Sequence, residues 1–158
     1  MRESDIVLDI SRQVASRLEE QGVQVIMTRQ DDREVDLSPR VQLANRARSN
    51  LFVSIHANAI SLSRPDVNGL ETYYYSSAGE RLAQVIHDTV LQMTGVRNRQ
   101  VRFARFYVLR HTSMPAVLVE VGFVTGEEDA RRLSDPAFRT QMAEAIAAGI
   151  LRYVQQNL

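Results

Sequence analysis

Ala116-Val117-Leu118-Val119 is an unbroken apolar run, opened by Pro115 and closed by Glu120. A run of this kind predicts a strand covered on both faces, as by helices packed above and below a sheet. The chain supplies such helices. From Ser4 onward Ile6, Ile10, Val14 and Leu18 form one apolar stripe at helical spacing, widened by Val7 and Ala15, and Gly22 ends it. Val23 to Thr28 is short and β-branched, as a strand following a helix should be. Ser38 before Pro39 reads as an N-cap with proline at the first helical position, and Val41, Leu43, Ala44 and Ala47 give the helix an apolar side to about Ser49. Leu51-Phe52-Val53-Ser54-Ile55 is a second compact apolar run, ending at His56.

Residues 60–69 gather Ser, Pro, Asp, Asn and Gly, a loop signature, and Leu70 to Tyr75 reads as a strand. Leu82, Val85, Ile86, Val90 and Met93 predict a helix over 78–93, and Phe106 to Leu109 predicts a short strand. After Pro136, the spacing of Phe138, Met142, Ile146, Ile150 and Tyr153 predicts a C-terminal helix. Alternating strands and helices imply a single α/β domain with a mostly parallel sheet covered by helices on both faces. Sites in such sheets form at the C-terminal ends of strands. His56 and Glu120 each end an apolar run, so neighbouring strands would bring both side chains into one crevice.

The length, 158 residues, fits one domain with a sizeable core, and 44% apolar with 24% charged residues is an ordinary globular balance. Basic and acidic residues number 19 each, so no overall field draws the chain to nucleic acid or anionic lipid. Every basic residue is arginine, for which the sequence offers no functional reason. The absence of cysteine excludes disulfides and thiolate metal sites. No run approaches the ~20 apolar residues of a membrane span. Met1-Arg2-Glu3-Ser4-Asp5 is too acidic for a signal peptide, so any export signal is expected outside this chain.

Three histidines can be weighed for chemistry. His87 lies inside a predicted helix beside Asp88 and reads as a surface or boundary residue. His111, in a polar connection before Met114-Pro115, reads as a solvated loop residue that could also face the crevice. His56 closes an apolar strand, where its nitrogens need polar partners; ligand or base is the favoured reading, a structural histidine the other. Glu120 is a carboxylate embedded in an apolar run. Burial of this kind raises a carboxyl pKa or calls for a cation, and both suit a general base beside a metal, whereas pairing with an arginine such as Arg110 is the structural alternative.

Several strings in order resemble the peptidoglycan amidase type 3 family of zinc-dependent N-acetylmuramoyl-L-alanine amidases. They are Arg2-Glu3-Ser4-Asp5-Ile6-Val7-Leu8-Asp9-Ile10; Thr28-Arg29 with Asp32; Leu37-Ser38-Pro39-Arg40 with Ala44-Asn45; Phe52-Val53-Ser54-Ile55-His56-Ala57-Asn58; Gly69-Leu70-Glu71-Thr72-Tyr73-Tyr74; and Met114 through Phe123. The resemblance implies hydrolysis of the amide joining the lactyl group of N-acetylmuramic acid to L-alanine in peptidoglycan. It also implies one Zn2+, with Glu3 and His56 among its ligands and Glu120 as the catalytic glutamate. Zinc would activate a water, and Glu120 would take its proton and return it to the leaving amine.

The family's first histidine lies in a Gly-His-Gly-Gly turn after an N-terminal strand, upstream of the glutamate ligand, and the sequence contains no counterpart. Residues 1–158 are therefore expected to be the catalytic domain without that strand and histidine motif. Some relatives carry a helical insertion that blocks the zinc until a partner removes it. Here Tyr75-Ser76-Ser77 runs almost directly into Gly79-Glu80-Arg81, so a monomer open to solvent and needing no activator is expected. Asn58 and Arg110 adjoin the two site strands and are candidate contacts for the peptide stem. Tyr73, Tyr74 and Tyr75 alternate between faces of a strand and are expected in packing rather than as a glycan platform. Peptidoglycan as substrate implies an extracytoplasmic location. The rival reading is a catalytically inactive relative that binds peptidoglycan or an assembly partner, and metal content separates the two.

Overall fold

The computed structural model describes residues 2–28 and 37–158. Arg29 and Asp32, part of the resemblance, lie outside the described residues. The elements are α1 (Glu3–Glu20), α2 (Leu37–Arg46), β1 (Phe52–Asn58), β2 (Leu70–Tyr74), α3 (Ser77–Thr94), β3 (Asn98–Phe103), α4 (Tyr107–Arg110), β4 (Ala116–Phe123), α5 (Glu127–Leu133) and α6 (Pro136–Asn157). Four strands form one sheet in the order β1-β4-β2-β3, with β4 central, as its apolar sequence requires. β1 and β4 are parallel, β2 and β3 are parallel, and β2 meets β4 antiparallel.

The two faces of β4 divide the core. Val117, Val119 and Val121 join Leu70 and the stripes of α1, α3 and α6 in the larger cluster, whereas Ala116 and Leu118 join Phe52 and residues of α2 and α4 in the smaller one. Helices thus cover both faces, as the unbroken run predicts. α1 buries Ile6, Leu8, Ile10, Val14, Ala15 and Leu18, which includes each member of the predicted stripe. Ser76 caps α3 by accepting from the Gly79 amide, and Gly95 ends it in the left-handed conformation at φ 69°.

Three sequence expectations fail for physical reasons. Val23 to Thr28 joins no strand pair. Across from it lies the outer edge of β1, and the two are separated by a cavity of about 910 Å³ lined by Val23, Val25, Met27, Val53 and Ile55, among others. An extended segment with no neighbour to bond cannot be a strand. Phe106 to Leu109 is not a strand either: the Phe106 carbonyl accepts from the Leu109 and Arg110 amides and starts the short helix α4. The edge strand instead is β3, whose sequence Asn98-Arg99-Gln100-Val101-Arg102-Phe103 is too polar to show a buried face.

His87 is buried, at 2% exposure, and not a boundary residue. Its Nδ1 lies 2.9 Å from Thr72 Oγ1 and its Nε2 lies 2.8 Å from Asn98 Oδ1, so the ring bridges α3 to β2 and β3. A neutral imidazole meets both contacts, accepting from the threonine hydroxyl and donating to the amide oxygen. Asp129 of α5 is a second buried tie. Its Oδ2 accepts from the Gly69 amide at 2.7 Å and the Phe123 amide at 2.8 Å, fixing the start of β2 to the end of β4. Among the described residues no helix is long and apolar enough to cross a membrane.

Candidate active site

Register across the sheet places three polar side chains in a row. His56 is the pairing partner of Glu120 between β1 and β4, and Glu71 is the partner of Glu120 between β2 and β4. Side chains alternate along a strand, so these residues share the face of Phe52, Leu118 and Tyr73, beyond the apolar cluster of α2 and α4. One face of the sheet therefore changes from apolar to ionisable within a single step of each strand.

Glu120 is the anomalous member. Its Oε2 is buried and has no hydrogen-bond partner among the described residues. Burial, then the charge of Glu71, then that of Glu3 push its carboxyl pKa up to about 7. The alternative of an ion pair with Arg110 is not realised. Arg110 is exposed at the end of α4, which packs Val108 and Leu109 toward Phe52, Ala116 and Leu118 rather than toward Glu120. His111 caps the end of α4 with its ring 4.3 Å from that of Tyr107, and its carbonyl accepts from Asn45 Nδ2.

His56 is held neutral. Burial first, then the positive charge of Arg40, lower its pKa. Its Nε2 lies 3.0 Å from Ser54 Oγ, two residues earlier on the same face. A neutral imidazole is the form that binds metal. Glu3, the first residue of α1, lines the cavity that His56 also lines, and its charge is felt at Glu120. Glu3 and His56 thus line one cavity, and Glu120 pairs with His56 across the sheet. Among the described residues no group of three or more His, Cys, Asp or Glu side chains is placed to hold a metal ion.

Asn58 reaches the row by donating from Nδ2 to Glu71 Oε1 at 3.3 Å. Tyr73 donates its hydroxyl to the same oxygen at 2.9 Å, and Arg99 Nε reaches Glu71 Oε2 at 3.2 Å. Arg102 Nε completes the set at 3.4 Å from Oε2. These contacts leave the Glu71 side chain 4% exposed. Sequence reasoning did not single out Glu71, Arg99 or Arg102. Glu71 carried a signal, since a carboxylate between Leu70 and Thr72 in a strand-like run needs partners; the arginines carried none, because β3 was not legible as a strand.

Comparison with known proteins identifies the family. The family described as N-acetylmuramoyl-L-alanine amidase matches residues 1–152. The N-acetylmuramoyl-L-alanine amidase LytC of Bacillus subtilis (strain 168) is 39% identical over 155 residues, covering 96% of this chain and 31% of that protein. This chain therefore spans about a third of that relative's length. Among solved structures, N-acetylmuramoyl-L-alanine amidase AmiC2 of Nostoc punctiforme superposes with a TM-score of 0.94 at 52% identity, covering 97% of this chain and 84% of that one. The catalytic domain of CwlV, an N-acetylmuramoyl-L-alanine amidase from Bacillus (Paenibacillus) polymyxa var. colistinus, gives 0.92 at 38% identity, covering 97% and 85%. The chain belongs to the N-acetylmuramoyl-L-alanine amidase family.

Proposed function

We propose that this domain hydrolyses the amide bond between the lactyl group of N-acetylmuramic acid and L-alanine in peptidoglycan, with Glu120 as the proton-transferring residue. The observation that carries this reading is the unpartnered, buried Oε2 of Glu120 on a carboxyl whose pKa is pushed up to about 7. A group titrating near neutrality can take a proton from the attacking water and deliver it to the departing amine of L-alanine. Because peptidoglycan lies outside the cytoplasmic membrane, the domain acts extracytoplasmically.

Zinc belongs to the same reading. Glu3 and His56 would hold it, a carboxylate and a neutral imidazole being suitable donors. Bound there, the ion would supply Lewis-acid polarisation of the scissile carbonyl and activation of water. Two protein donors fall short of the three that catalytic zinc sites use. The cavity of about 910 Å³ along β1 supports a source for the third. The Phe52 amide and the Asn58 carbonyl bond toward β4, so the alternate residues Val53 and Ile55 turn their backbone groups to the cavity. That edge, with the apolar flanks of α1 and Val25, suits one more buried strand, and we take the domain's first strand and histidine motif to fill it.

The site is read as open without an activator. β2 ends at Tyr74 and α3 begins at Ser77, with Ser76 already its cap, so this connection has no length for a plug. The test is hydrolysis of purified cell walls by the protein alone, followed by release of peptides with N-terminal L-alanine. Activity without a partner supports the reading. Wall binding without hydrolysis in zinc-loaded protein would replace it with an inactive, peptidoglycan-binding relative.

A further inference from the structure

Arg99 and Arg102 lie three positions apart on β3, a spacing that puts side chains on opposite faces of a regular strand. Here both reach one carboxylate oxygen, Glu71 Oε2, at 3.2 and 3.4 Å. The cause is a bulge. Between β2 and β3 the register runs from Leu70↔Asn98 to Thr72↔Val101, so β3 spends one more residue than β2 over that interval. Gln100 takes up the extra length at φ 78°, a left-handed conformation unfavourable for a residue with a side chain, and its amide donates to Asn98 Oδ1 at 2.9 Å. Bulges of this kind re-aim side chains, and strained backbone persists only where its surroundings hold it.

The charges do not balance. Glu71 Oε1 is already engaged by Asn58 and Tyr73, and one arginine would neutralise the carboxylate. The second is a further positive charge at the same carboxylate. Arg99 donates from Nε to Glu71, whereas Arg102 Nε donates to the Arg99 carbonyl at 2.8 Å and pairs with Glu71 by charge; among the described residues no hydrogen bond engages the terminal Nη atoms of either. Their side chains remain 34% and 45% exposed, whereas Glu71 is 4% exposed. Arg99 is further steadied over the Phe123 ring, 5.1 Å from its centroid. Two fork-shaped donors, fixed at one end and free at the other, match a carboxylate.

We propose that Arg99 and Arg102 form a carboxylate-recognition subsite for the peptide stem, holding the free α-carboxylate of the residue that follows L-alanine. This assignment rests on the amidase reading for the identity of the ligand. Glu71 is then a positioning residue, which anchors both arginines from below and stands opposite Glu120.

The test is calorimetric binding of two probes, N-acetylmuramoyl-L-alanyl-D-glutamate and its α-carboxamide counterpart, to zinc-loaded protein carrying Glu120→Gln to prevent turnover. The free carboxylate should bind about tenfold more tightly, as loss of a charge-assisted bidentate contact implies. Adding Arg99→Gln and Arg102→Gln should reduce the preference to less than about threefold. Arg102→Lys, which keeps the charge and loses the fork, should lower the preference with an unchanged melting temperature, guarding against misfolding of the double variant. Equal binding of the two probes, no binding of either at millimolar concentration, or a preference that survives in the folded Arg102→Lys and double variants would overturn the proposal. Wall hydrolysis by the unsubstituted protein separates the two readings. Hydrolysis with no carboxylate preference defeats the subsite alone; a preference without hydrolysis defeats the amidase reading and leaves the anion site standing.

Discussion

Glu71 and Glu120 stand directly opposite one another on antiparallel strands, yet only Glu71 is neutralised. It has two arginines, an amide and a hydroxyl around it, whereas Glu120 Oε2 has no hydrogen-bond partner among the described residues. Equivalent positions in the sheet therefore hold carboxylates of opposite character, one surrounded by donors and one poised to exchange a proton.

That asymmetry has a cost in stability. The Glu120 carboxyl is raised from 4.5 to about 7, so between these values the folded protein binds more protons than the unfolded chain and stability falls as pH rises. In metal-free protein held with a chelator, Glu120→Gln should melt above the unsubstituted protein at pH 8, and the gap should close as pH falls to 4.5. Melting temperatures across that range check it; a variant less stable at pH 8 would contradict the assignment of a buried, uncompensated charge.

A second consequence concerns the carboxyl itself. Removing the charge at Glu71 takes away one cause of the upward shift, so Glu71→Gln should lower the Glu120 pKa below its value of about 7 in metal-free protein. Carbon-13 NMR titration of the Glu120 carboxyl reads this directly. An unchanged midpoint would mean that burial and Glu3 set the value without Glu71.

His87 behaves in the opposite sense. Burial lowers its pKa from 6.5, so below that value the unfolded chain binds the additional proton; the stability it contributes is present above pH 6.5 and is lost as pH falls. His87→Gln should make unfolding less pH-dependent between pH 7 and 5, measured by denaturant titration. An equal dependence in both proteins would assign the acid sensitivity elsewhere.

Asp129 holds the site strands together from outside the site. Asp129→Ala leaves the Gly69 and Phe123 amides without their acceptor, and loss of buried bonds to a charged group should cost about 3 kcal/mol. Denaturant midpoints at pH 7 test it. A change under about 0.5 kcal/mol would show that water or a neighbouring group replaces the carboxylate.

The central strand and the helices around it were legible because burial on both faces leaves an unbroken apolar run and burial on one face leaves a stripe. Val117, Val119 and the α1 residues Ile6 and Ile10 carry that information locally. His56 and Glu120 stood out as polar residues ending apolar runs. Glu3 was accessible only through resemblance, since nothing about a carboxylate at a helix start reveals what it faces. β3 was hidden because an edge strand needs no apolar face, and the bulge at Gln100 cannot be read from residue types. The buried character of His87 depends on partners in β2 and β3, which a helical pattern does not name.

The account stands on Glu120 as the residue that moves the proton. The direct measurement is the rate of peptide release from purified peptidoglycan by zinc-loaded protein and by Glu120→Gln, with zinc content determined for both. The account predicts a loss of at least about 10²-fold in rate at unchanged zinc content, in line with removal of a general acid–base group. A Glu120→Gln protein that hydrolyses the wall at the unsubstituted rate would contradict it.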